Sequence, residues 1–147
     1  MKYCRKIFSL LFCFFLVSSS AFPDIGYNDI SGKWRLMYKN NCGYEFRFNS
    51  NYRAFCILYS GANAIIFKGI FAIEKDRLTI NINEMKTEEN WRRIDFWNKF
   101  SKTASSYFVF KIELNKNKIL TLTSIKTIID GNDSKGYFEP EISLSRY

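Results

Sequence analysis

From Trp34 onward the sequence is a series of short runs in which apolar and polar residues alternate, divided by clusters of Asn, Gly, Lys and Asp. A side-chain period of two marks strands with one buried face. The runs are Lys33–Lys39, Tyr44–Phe48, Tyr52–Tyr59, Ile65–Ile73, Leu78–Ile82, Tyr107–Leu114, Ile119–Ile128 and Glu141–Tyr147. Turn clusters at 40–43, 49–51, 60–63, 75–77 and 115–118 are short enough to be hairpins, so successive runs should pair antiparallel. Alternation assigns the faces: Tyr44, Phe46 and Phe48 lie opposite Glu45 and Arg47, and Phe108, Phe110 and Ile112 lie opposite Lys111 and Glu113. One face should be dry and the other wet. The fold class expected is all-β, an eight-stranded antiparallel up-and-down barrel, because closure alone removes exposed strand edges. Gly69, in the middle of its run, suits a sharp bend of a small barrel.

One segment departs from this period. Between Thr87 and Ala104, Trp91, Ile94, Trp97 and Phe100 recur every three residues, with Glu88 and Glu89 before them and Lys99 and Lys102 after. This predicts a short amphipathic helix or irregular segment over 87–104, either covering a barrel end or packed on the barrel wall; the competing reading is a strand, since Ile94, Phe96 and Asn98 also alternate with Asp95 and Trp97.

The first residues read as targeting. Lys2, Arg5 and Lys6 precede an apolar run, Ile7–Val17, and the small residues Ser18 to Ala21. That run is well short of the ~20 residues a bilayer-spanning helix needs, so 1–21 is expected to be a signal peptide, with a periplasmic or extracellular destination and no stable membrane span. Residues 22–31 would form an N-terminal tail and 32–147 the barrel domain. Cys4 and Cys13 would leave with the signal, and Cys42 and Cys56 would meet across a hairpin in an oxidising compartment. The expectation is a disulfide contributing ~3 kcal/mol.

The chain contains no histidine, which excludes imidazole bases, imidazole zinc sites and nucleophile–histidine pairs. Glu88 with Glu89 and Glu139 with Glu141 are the carboxylate pairs, and their places at strand ends and segment starts need no catalytic role. Asp130, Asn132, Ser134 and Glu141 fall at calcium-loop positions, but Lys135 stands where that loop needs glycine. A polar turn explains them, and no metal is expected. Cations interspersed with acids, such as Arg47, Arg53, Lys68, Arg92 and Arg93, do not form a nucleic-acid footprint. No cofactor motif is present, and the chain does not read as an enzyme.

Gly32 and Trp34 open the first strand, and Arg146 ends the last. A Gly-x-Trp at the head of an up-and-down barrel of this length resembles the lipocalin-like (calycin) proteins, and most nearly the abbreviated domains of bacterial envelope proteins. The resemblance implies that Trp34 plugs the closed end and that Arg146 lies across its face. A cation over an indole contributes about 0.5–2 kcal/mol. It also implies non-catalytic binding of a small hydrophobic ligand in a cup. Phe46, Phe48, Phe67, Phe71, Ile80, Phe108, Phe110 and Leu122 are the candidate lining residues, with Trp34, Arg146, Cys42 and Cys56 structural. These aromatics are equally able to fill a narrow barrel. The alternative is therefore a filled barrel acting on a protein partner through its N-terminal tail, as a protease inhibitor or adhesin would.

Overall fold

A computed structural model describes residues 24–147; the expected signal peptide, 1–21, lies outside them. The elements are a helical turn α1 (Tyr27–Ile30) and strands β1 (Gly32–Met37), β2 (Gly43–Phe48), β3 (Arg53–Ser60), β4 (Asn63–Glu74), β5 (Arg77–Glu88), β6 (Ser101–Leu114), β7 (Ile119–Ile129), β8 (Asn132–Asp133) and β9 (Glu141–Arg146). Each strand pairs antiparallel with the next from β1 to β7, and β9 then pairs with both β7 and β1. Eight strands thus close into a barrel, with β8 a short hairpin on β7. No helix among the described residues is long and apolar enough to cross a membrane.

The alternating residues point inward as the sequence predicts. Phe46, Phe48, Phe67, Ile80, Phe108, Phe110 and Leu122 are almost completely buried in one core. Trp34 pairs across β1 and β9 with Arg146, whose guanidinium lies 4.6 Å from the indole centroid. The lower end is closed by residues expected to be a tail. Ile30 of α1 is fully buried, its carbonyl accepts a 2.6 Å bond from Trp34 Nε1, and Tyr27 stacks on Phe71 at 5.6 Å. Arg146 Nη2 also donates to the Asp29 carbonyl at 2.9 Å. Residues 25–31 are therefore a docked stopper and not a free arm. An apolar Ile30 and an aromatic Tyr27 bury too much surface to stay in water.

The bend at Gly69 is a bulge between Lys68 and Gly69, and a β-carbon there would lie 1.9 Å from the Asn81 carbonyl oxygen. The extra residue is Asn83 on β5, unpaired between Ile82 and Glu84, and it reverses the facing of β5. Met85 then packs against the barrel core, while Lys86 becomes buried.

The amphipathic helix does not form. The segment is strand to Glu88, a single 3-10 turn at Trp91–Arg93, and irregular until β6 begins at Ser101. Its apolar residues lie on the barrel wall, where Trp91, Ile94, Phe96 and Phe100 cover Phe55, Ile57, Tyr59, Ala64 and Ile66. The outer face is consequently dry from Phe55 to Tyr59 of β3 and at Ala64 and Ile66 of β4, contrary to the simple inside–outside division.

The Cys42–Cys56 disulfide is also absent, and both thiols are free. Register explains it: Cys56 stands opposite Phe46, four positions from Cys42, or ~13 Å at about 3.3 Å per residue. A disulfide spans about 4.4–6.8 Å between α-carbons. Cys56 faces the core, whereas Cys42 is half-buried at the upper end.

Candidate functional site

The inward side chains form layers, and the site follows from where the layers stop. At the bottom Phe48 meets Phe71 edge to face at 5.0 Å, above Tyr27 and Trp34. In the middle Phe67 meets Phe108 at 5.0 Å, and Phe46 meets Phe110 at 5.8 Å. Phe138, from the connection between β8 and β9, enters this layer from above. Its ring lies 4.9 Å from Phe108, 5.2 Å from Phe110 and 6.2 Å from Phe46. The predicted lining residues are therefore brought together, but around one another and around Phe138.

Phe138 and its neighbour Tyr137 were not singled out in the sequence. They sit in a turn-rich stretch between Gly136 and Pro140 that has no alternation. An aromatic pair inside a polar turn was the available signal.

Above Phe138 the uppermost inward layer is only partly covered. Tyr44 of β2, Leu58 of β3 and Ile65 of β4 continue the buried faces of their strands, yet remain half-exposed beside Tyr137. They border a pocket of about 610 Å³ at the barrel mouth, rimmed by Tyr38, Cys42 and Glu139. Gly43 is required here, since a β-carbon on it would lie 2.1 Å from the Leu36 carbonyl oxygen. Tyr38 donates a 2.7 Å hydrogen bond to Glu139 Oε2, which raises the pKa of the Tyr38 phenol. Burial raises those of Tyr44 and Tyr137. These phenols stay neutral at ordinary pH, so the pocket offers aromatic and aliphatic surface with one carboxylate at its rim. Such lining presents apolar surface that a small molecule could bury.

The other charged cluster is closed. Glu45, on the outward face of β2, is fully buried and accepts hydrogen bonds from Arg35 (2.7 Å), Tyr59 (2.7 Å), Tyr147 (2.5 Å) and Arg47 (2.5 Å). Burial alone would raise its carboxyl pKa, but these four partners outweigh it and hold the value at about 2. With both oxygens engaged, Glu45 ties β1, β2 and β3 together. Among the described residues no cluster of acidic or cysteine side chains could hold a metal ion.

Compared with protein-family models, curated proteins and solved structures, the chain matches none.

Proposed function

We propose that this chain is an exported lipocalin-like barrel that binds a small apolar molecule without chemical change, at the mouth of the barrel and not in its depth. The observation that carries the reading is the half-covered layer of Tyr44, Leu58, Ile65 and Tyr137 around about 610 Å³. That volume falls within the ~300–1,000 Å³ of small-molecule sites. The kinship is supported by Gly32 and Trp34 at the head of β1 and by Arg146 over the indole. Export is supported by the basic, apolar and small-residue succession of 1–21.

Titration with the neutral fluorophore N-phenyl-1-naphthylamine tests the site. Saturable uptake at one site is expected, lost in Ile65→Trp, which fills the mouth, and retained in Ile125→Trp on the outer wall. Equal uptake by both variants, or none by the wild type, would sink the reading. A second reading, a filled barrel that acts on a partner protein, is favoured by the occupation of the middle layer by Phe138. It would be preferred if the wild type takes up no probe while remaining folded.

A further inference from the structure

The segment between β5 and β6 is fixed at many points, yet it presents its largest side chain to solvent. Trp91 Nε1 donates to the Gly61 carbonyl at 2.7 Å and its ring meets Tyr59 at 5.2 Å. The Phe96 ring meets Phe55 edge to face at 5.4 Å, with the Arg47 guanidinium 4.3 Å away on the ring. Phe100 lies beneath both Lys68 and Lys86, at 4.9 and 4.8 Å. Lys86, nearly inaccessible, donates to the Asp95 and Asn98 carbonyls from below. Asp95 Oδ1 caps the tip by accepting from Trp97 N at 2.8 Å. Trp97, held between these anchors, is nevertheless 78% exposed.

An indole displayed on a pinned loop is a group placed for contact. Its surroundings give the sign of the partner. Arg92, Arg93, Lys99 and Lys102 are all exposed, and the acid among them, Asp95, is turned onto backbone amides and Asn98. Glu89 precedes the loop, while Glu88 is paired with Lys86. The basic surface continues below the loop. Beside the bulged Asn83 of β5 lies a cleft of about 430 Å³ lined by Arg53, Lys68 and Lys102, with Glu84 bonded to Lys68 and Ile70 half-exposed at its edge. Lys68 belongs both to this cleft and to the cover over Phe100, so loop and cleft share one face.

We propose that this face is a peripheral docking surface for an anionic phospholipid bilayer, with Trp97 at headgroup depth and the surrounding cations against lipid phosphates. Tryptophan partitions to the membrane–water boundary, and juxtaposed basic residues are attracted to anionic leaflets over about a Debye length. The proposal is independent of the mouth pocket, since Ile65→Trp would leave it unchanged.

Sedimentation with phosphatidylglycerol/phosphatidylcholine vesicles tests it. Binding is expected with a blue shift of tryptophan emission, which comes from Trp97 because Trp34 is fully buried and Trp91 is packed on Tyr59. Trp97→Ala, at an exposed position that leaves the fold intact, should abolish the shift and weaken partition about tenfold or more. Arg92→Gln and Arg93→Gln should each cost about fivefold, and ~1 M salt should release the protein. Equal binding to pure phosphatidylcholine, binding unaffected by Trp97→Ala, retention by polyglutamate but not by vesicles, or no binding at low salt would each overturn the proposal.

Discussion

Single side chains whose surroundings conflict with their chemistry are the sharpest tests at the residue scale. Tyr27 packs between Tyr52 and Phe71, but its hydroxyl is buried without a hydrogen-bond partner. Tyr27→Phe should therefore be neutral or stabilising by up to about 1 kcal/mol in thermal melts, where loss of an ordinary tyrosine bond would be destabilising. Glu45 behaves oppositely. Its folded-state pKa of about 2 lies below the ordinary 4.5. Its contribution is thus complete above pH ~4.5 and is lost as pH falls toward 2, on the order of 3 kcal/mol. Glu45→Gln should destabilise the protein at neutral pH and flatten this acid limb in urea titrations between pH 6 and about 2. Alternation put Glu45 on the wet face. What hid it is a set of partners from three strands and Tyr147, which no local pattern reveals. The thiols separate by position: alkylation followed by peptide mapping should label Cys42 in the folded protein and Cys56 only after unfolding, because the latter is completely buried and burial raises its pKa. Added reductant should leave the melting temperature unchanged.

Among the elements, the eight strands were legible because five hairpin-length turns and two longer connections separate stretches with one apolar face, and this is a local property. The continuation of β5 to Glu88 and the start of β6 at Ser101 were not. The bulge after Ile82 reverses which residues face inward, so Asn83–Glu88 reads as polar linker although it is paired backbone. The 3-residue spacing of Trp91, Ile94, Trp97 and Phe100 likewise read as a helix. The irregular, wall-packed form is the one that occurs, because three of these residues find partners on β3 and β4 while Trp97 finds none. The bulge itself is testable. Gly69→Ala would force a β-carbon onto the Asn81 carbonyl and should destabilise by several kcal/mol, about 3 or more if β4 cannot shift, as read from urea midpoints.

For the molecule as a whole, filling is the decisive property. Phe138→Ala should cost about 3–5 kcal/mol as a buried aromatic truncation and, if the mouth binds apolar molecules, should deepen the site and increase naphthylamine affinity. Alternation names the inward aromatics, such as Phe46, Phe48, Phe108 and Phe110, but not whether they fill the interior or line a cup. Which aromatic fills the centre depends on a connection without regular structure. The seam of the barrel is short, two register pairs joining β1 to β9, Trp34 with Arg146 and Arg35 with Ser145. Because the polypeptide returns to its own beginning there, its linear order is one of several equivalent ways to cut a ring. A circular permutant that links Tyr147 to the segment before α1 and opens the tight turn at 115–118 should refold to the same circular-dichroism spectrum.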